Sequence, residues 1–303
     1  MIDLRRLRAF VVVAEEGHIT RAAERLGMSQ PPLTRLLRGL ETELGTLLLD
    51  RLPRGVALTA AGETLLHEAR AVLDRAATVA DSVRRSGRGE QGRLAIGFTP
   101  SAALHPFVPA TIRAFAEAWP GVRVELDEGA TAELADALSH RRLEAAFVRS
   151  PVGGMPDLTV DAVAEEPMVV ALPAGHRLAA SPNQPLPLAA LAAEPFILYR
   201  RPAGPGLYDT IVAACRGSGF TPRVAQEAPR LPATLSLVAA GLGISVVPAS
   251  MRRMALDGIV YRAIEDAAGL SAPLHLAFPR GGLSPTAVRF RSMVRQRAAR
   301  EAA

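Results

Sequence analysis

Apolar residues recur at helical spacing from the start of the chain. Leu4, Leu7, Ala9, Phe10, Val13 and Ala14 form one stripe, and Gly17 closes it. The spacing predicts a first helix over 4–16. Thr20 is placed to cap a short second helix through Ala22, Ala23 and Leu26, and Gly27 turns the chain into Ser29. Ser29 can cap a third helix whose first turn holds Pro31 and Pro32, where missing backbone donors cost little. Leu33, Leu36, Leu37, Leu40 and Leu44 give that helix one apolar stripe, so Thr34, Arg35 and Arg38 face elsewhere. A short helix, a glycine turn and a longer helix with polar residues early on its open face is the sequence form of a helix-turn-helix. Segment 50–58 reads as two short strands around Pro53 and Gly55, a small wing carrying Arg51 and Arg54. A three-helix bundle with an arginine-rich solvated face would show the same spacing.

A longer stripe follows. Leu65, Ala69, Val72, Ala76, Val79 and Val83 alternate at spacings of four and three, a heptad pattern uninterrupted by Gly or Pro. Such a helix leaves an apolar seam that must pack on its own protein or on a second copy, and homodimerisation is the favoured reading. Gly87, Gly89 and Gly92 then read as a flexible hinge. Beyond them strands alternate with helices: strands at 94–98, 122–126 and 145–148, helices at 104–119 and 132–140. Further strands are expected at 168–172, 196–199, 244–247 and 274–278, and helices at 206–216, 231–240 and 286–300. The alternation predicts a parallel sheet covered by helices on both faces. Its length, and the Pro-rich run at 181–187, suggest two α/β lobes with a cleft between them. The expected domains are 1–61, a linker helix and hinge over 62–91, and a two-lobed part over 92–303. Its lobes would be 92–162 with 268–303, and 163–267.

Composition narrows the classes. The chain has 303 residues, 49% of them hydrophobic and 21% charged, ample for a sizeable core. All 35 basic residues are Arg against 30 acidic ones, a formal net charge of +5. That is a weak pointer to anionic partners; the absence of Lys reads as a genome signature. No early apolar run is long enough to span a bilayer and no export signal is visible, and Cys215 is the only cysteine. A cytoplasmic protein without disulfides is expected.

Enzyme chemistry finds no constellation. The six His residues show no HxxxH pair, and there is no GxSxG elbow, no phosphate loop and no GxGxxG after a strand. Neither a metal site nor a cofactor is expected. Polar residues do cluster at strand ends, where open sheets bind ligands: Thr99, Pro100 and Ser101 after one strand, Gly129 and Thr131 after the next, Arg149 after the third, and Arg200, Arg201 and Pro202 after Tyr199. Hydroxyls, a helix start at Thr131 and one or two guanidiniums would suit a small carboxylate. Caps and solvated arginines are the plain alternative.

The first 62 residues resemble the LysR-type transcriptional regulators. The pattern is carried by Ala22-Ala23-Glu24-Arg25-Leu26, Ser29-Gln30-Pro31, Leu33-Thr34-Arg35, Leu40-Glu41, Leu44-Gly45, Arg51, Arg54, Val56, Leu58-Thr59 and Ala61-Gly62. The long helix, the two-lobed part and the segment at 239–248 extend the resemblance to nearly the whole chain. Leu49 stands where the family usually has Phe, and Pro32 and Gly39 are less usual choices; Gly39 should soften the third helix.

The resemblance implies an α/β chain with an N-terminal all-α winged helix-turn-helix, a long linker helix and a two-lobed effector domain of the periplasmic-binding-protein-like (type 2) fold. It implies that Ser29, Gln30, Pro31, Thr34, Arg35 and Arg38 meet the major groove and its phosphates, with Arg51 on the same DNA face and Arg54 reaching the minor groove. It places Thr99, Ser101, Thr131, Arg149, Tyr199, Arg201 and Pro202 around an effector, a carboxylate such as an aromatic acid. The implied partners are double-stranded promoter DNA, further copies of the chain as a dimer or tetramer, and RNA polymerase. Effector binding would shift the lobes and so the spacing of the recognition helices. The rival readings are a small-molecule binding protein of the same fold without DNA activity, and an enzyme with a fused helical module.

Overall fold

The computed structural model describes residues 2–53, 55–149, 156–200, 206–265 and 269–301. Contacts divide the chain into two units, Met1–Arg85 and Ser86–Ala303.

In the first unit α1 (Leu4–Glu16), α2 (Ile19–Arg25) and α3 (Gln30–Leu44) enclose a core of Leu7, Phe10, Val13, Ala22, Leu33, Leu37 and Leu40. The cap of α2 is His18 rather than Thr20: its imidazole accepts from the Thr20 amide at 3.3 Å, because Thr20 already lies inside the helix. Strands β1 (Leu49–Leu52) and β2 (Gly55–Leu58) pair antiparallel as a wing. The wing is held to the turn after α1 by the Val56 amide, which donates to the Gly17 carbonyl at 2.9 Å. Gly39 leaves room for the Arg6 guanidinium, which reaches the Gly39 carbonyl and pairs with Glu43 at 3.0 Å. Helix α4 (Ala60–Gly87) buries Ala69 against this core, with Leu65, Leu66 and Leu73 packed beside it. Val72, Val79 and Val83 stay exposed.

The second unit begins with β3 (Gly92–Phe98), α5 (Pro100–Ala103), α6 (Phe107–Ala118), β4 (Val122–Glu128), α7 (Thr131–Ser139) and β5 (Ala145–Val148). The helix expected over 104–119 therefore begins only at Phe107, with Pro106 as its N-cap, and the short α5 precedes it. The long strand β6 (Leu158–Pro173) leads to β7 (Leu186–Pro187), β8 (Pro195–Tyr199), α8 (Leu207–Gly217), β9 (Arg223–Ala228), α9 (Leu231–Ala239), β10 (Ser245–Pro248) and β11 (Ile259–Glu265). β12 (Ser271–Pro279) and α10 (Pro285–Glu301) complete the fold.

The sheet is mixed, not parallel. β4, β3 and β5 run parallel, but β12 is antiparallel to both β5 and β6, because the chain leaves one lobe along β6 and returns along β12. β6 thus serves two lobes: its first half pairs with β12, its second with β10 and β11. One lobe packs Leu94, Ile96, Phe115, Phe147 and Phe290 on one sheet face and Leu134 and Leu138 on the other. The second is built around Val170, Phe196, Ile211, Leu235 and Val246. The Pro-rich loop before β7 is pinned by Arg262, which donates to the carbonyls of Leu178, Gln184 and Pro185.

The glycine segment is not a free hinge. Gly89 is buried with φ +69°, and a side chain there would run into the backbone of Pro285 and Thr286. Arg289 donates to the Arg88 carbonyl and reaches Glu90, tying the segment to α10.

The same helix is held to β6 by Asp161, which accepts from Arg291 at 2.8 and 3.1 Å and from Arg295 at 2.9 and 2.7 Å. Burial pushes the Asp161 carboxyl up, but the two arginines outweigh it and its pKa is lowered. Its contribution is therefore present above the unfolded value of about 4 and is lost as pH falls below it, through the folded value. Asp161→Asn is expected to cost about 2 kcal/mol at neutral pH, since the Asp161 side chain is only 11% exposed and accepts charged hydrogen bonds from both arginines. That gap should close in denaturant titrations as pH falls below about 4; a gap independent of pH would contradict the assignment.

Candidate functional site

Two surfaces concentrate the polar side chains. On the first unit, Ser29, Gln30, Pro31, Arg35 and Arg38 are exposed at the start and along the open face of α3, and Arg51 is exposed on the wing. Thr34 is half-buried, its hydroxyl donating to the Gln30 carbonyl at 3.1 Å. Ser29 is the N-cap of α3 but makes no side-chain cap bond, so its hydroxyl is available. Arg54 lies outside the described residues. Arg6, Arg21, Arg25 and Arg70 are all engaged by carboxylates. Among the described residues Arg35, Arg38 and Arg51 have none within ion-pair distance. Unpaired guanidiniums on the early turns of an HTH second helix can meet phosphates or pair bidentately with guanine.

The second surface is a cavity of about 240 Å³ between the lobes. Its wall is built from the C-terminal ends of parallel strands: Thr99, Pro100 and Ser101 follow β3, Ala130 and Thr131 follow β4, and Arg149 follows β5. From the other lobe come Tyr199 and Arg200 at the end of β8, Pro229, Arg230 and Leu231 after β9, and Leu207. Thr131, Leu207 and Leu231 are the first residues of α7, α8 and α9, so three helix N-termini, each a partial positive charge, open on one space. No carboxylate lines the cavity among the described residues. Tyr199 closes one side: its hydroxyl oxygen accepts from the Tyr208 amide at 2.6 Å, which leaves its proton free to donate. Burial pushes that phenol up to about 12, so it stays protonated. The Thr99 hydroxyl accepts from the Ala102 amide at 3.4 Å as a cap of α5. Arg201 and Pro202 lie outside the described residues.

Arg149 behaves differently from the free guanidinium the sequence suggested. It is 3% exposed and pairs with Glu166, 7% exposed, while also donating to the carbonyls of Ser101 at 3.0 Å and Ala272 at 3.3 Å. Glu166 in turn accepts from the Ser250 amide at 2.6 Å and hydroxyl at 2.9 Å. Burial pulls the Arg149 pKa down, opposed by Glu166. Arg149 therefore backs the cavity with its charge already neutralised. Arg200, which the sequence places after Tyr199, and Arg230, which the sequence reading passed over, line the cavity from the second lobe. Arg230 stands just before α9, after a strand (RVAQEA) without apolar alternation.

Family models match the chain on both surfaces: a bacterial regulatory helix-turn-helix protein of the lysR family over residues 4–63, and a LysR substrate binding domain over residues 87–299. The chain belongs to the LysR family of transcriptional regulators. It is similar to the HTH-type transcriptional regulator BudR of Raoultella terrigena, 37% identical over 292 residues, which is 96% of this chain and 100% of that one. The solved structure of full-length CbnR with its target DNA is 30% identical, with a TM-score of 0.83 over 98% of this chain and 100% of that chain. The BenM effector binding domain with its effector benzoate is 27% identical, with a TM-score of 0.61 over 70% of this chain and 94% of that chain. This LysR regulator is a DNA-binding protein with a two-lobed effector domain, not an enzyme, and LysR regulators form oligomers. Among the described residues no helix is long and apolar enough to cross a membrane. Cys215, buried in the last turn of α8, has its thiol pushed up to about 11 by burial, which leaves it inert as a nucleophile.

The buried pair makes a stability prediction. Glu166→Gln leaves Arg149 charged and uncompensated, an expected loss of about 3 kcal/mol. Replacing both partners together, Arg149→Met with Glu166→Leu, should cost less than the single change. Urea denaturation reads both; a double variant no more stable than the single one would contradict the argument.

Proposed function

We propose that this regulator binds promoter DNA through Ser29, Gln30, Pro31, Thr34, Arg35, Arg38, Arg51 and Arg54, and answers to a small carboxylate, with aromatic acids the leading class. The observation that carries the effector reading is the wall itself: helix starts, hydroxyls and two guanidiniums around an apolar space with no carboxylate in it. The benzoate bound to the related BenM domain supports the aromatic preference. Thr99, Ser101 and Thr131 offer hydroxyls to the carboxylate, Tyr199 offers its phenol, and Arg149 holds Ser101 in place; Arg201 and Pro202 belong to the same reading by their place after Tyr199.

We read residues 1–61 as the DNA module, 62–91 as linker and 92–303 as sensor. Val72, Val79 and Val83 on α4 form the seam of a homodimer, and pairing of dimers gives a tetramer. Chromosomal DNA as target places the protein in the cytoplasm, where RNA polymerase is its further partner. A carboxylate that draws the lobes together alters the spacing of the recognition helices by a population shift between assemblies.

Arg35→Ala should weaken binding to the promoter fragment severalfold or more, by gel shift, and leave the oligomer intact in sedimentation; unchanged affinity would remove Arg35 from the DNA face. Thr131→Val should abolish or weaken carboxylate binding about tenfold in calorimetry, the scale of one charged hydrogen bond. Equal affinity would remove Thr131 from the site.

A further inference from the structure

Arg230 and Glu128 form an ion pair of 3.2 Å that joins the two lobes at the cavity. Glu128 is the last residue of β4 in one lobe, and Arg230 immediately precedes α9 in the other. Their side chains are 48% and 54% exposed, so water reaches both partners and the pair contributes little to stability. The Arg149–Glu166 pair is the opposite case: it is sealed, and separating it would strand two charges. Arg230 lines the cavity and Glu128 does not. A carboxylate in the cavity therefore meets a guanidinium whose present partner is a carboxylate it can replace.

We propose that the effector exchanges with Glu128 on Arg230. The inference rests on the carboxylate reading of the cavity and adds the residue that receives the charge. In the empty cleft Glu128 neutralises Arg230 and links the lobes. When a carboxylate seated against Thr131 takes Arg230, the ligand becomes the link, and Glu128 turns to solvent. Arg200 cannot play this part: it stands in the same lobe as Arg230, and among the described residues it has no carboxylate partner to give up. The exchange makes Glu128 a built-in competitor that sets the affinity threshold, and it selects anions over neutral ligands of the same shape.

The test is isothermal titration calorimetry on the full-length protein, with benzoate, salicylate, acetate and pyruvate as probes and benzamide as the uncharged control. Arg230→Gln should weaken the binding carboxylate about tenfold or more, with partial rescue by Arg230→Lys. Glu128→Gln should tighten it severalfold, and benzamide binding should not follow either change. In the Arg230→Gln background Glu128→Gln should no longer tighten binding, because competition requires the shared partner. Tightening that persists there would show simple repulsion by Glu128 and overturn the exchange, as would wild-type affinity in Arg230→Gln. If the wild type binds none of the four carboxylates, the carboxylate reading falls and the exchange with it. Both side chains are half exposed, so melting curves of the variants should match the wild type and separate ligand effects from folding.

Discussion

The sensor unit is organised around a charge pair almost sealed from solvent. Arg149 leaves the end of β5, Glu166 sits where β6 passes from one lobe to the other, and Ser250 starts the turn after β10, so the pair and its hydroxyl partner stitch the two cores at their crossing. Removing either charge strands the other in a medium that solvates it poorly, which makes this contact costly to open. Burial also lowers the pKa values of the nearby imidazoles of His105 and His275, and the Arg149 charge adds to the effect on both. The back of the cleft is thus fixed, while its mouth is closed by a solvated pair.

The same contrast runs through the wall of the cavity. β3, β4, β5, β8 and β9 all end at the cavity, and three helices begin there. Parallel strands deliver helix starts to one edge as a matter of topology, so the partial positive charges arrive with the fold and require no buried cation. Arg149 can then serve as a brace for the Ser101 carbonyl. The rest of the wall is hydroxyls, amide dipoles and rim guanidiniums.

Much of this was legible in the chain. The helix-turn-helix declared itself because Leu33, Leu37 and Leu40 keep strict helical spacing beside exposed Arg35 and Arg38, and local periodicity needs no distant partner to be read. β9 and the first half of β6 were not legible: RVAQEA and LTVDAVAE carry charges and small residues at positions that become strand only because β8 and β12 pair with them. A strand at 274–278 is expected from the sequence, but its antiparallel direction as β12 depends on pairing with β5 and β6, which local pattern does not encode. Gly89 read as a hinge, and its reason is a close approach to Pro285 almost two hundred residues away. Arg149 was found by its place after a strand, but its partner Glu166 lies in a segment without signal, so a neutralised brace looked like a free ligand. Arg230 was overlooked because its significance comes only from Glu128 across the cleft.

A chain whose every basic side chain is Arg gives one residue type several duties, and what separates them is the acceptor each guanidinium meets. Arg262 meets only carbonyls and fixes a loop; Arg291 and Arg295 share Asp161, and Arg291 also stacks on the Phe278 ring at 3.8 Å. Arg149 meets a buried carboxylate and becomes structural. Among the described residues Arg35, Arg38 and Arg51 meet no carboxylate, so their charge is available to a phosphate or a base. The first unit holds 13 Arg against 11 acidic residues and the second holds 22 against 19, so net charge hardly distinguishes the two units. What distinguishes these arginines is the acceptor each one meets, a property of pairing that composition cannot express.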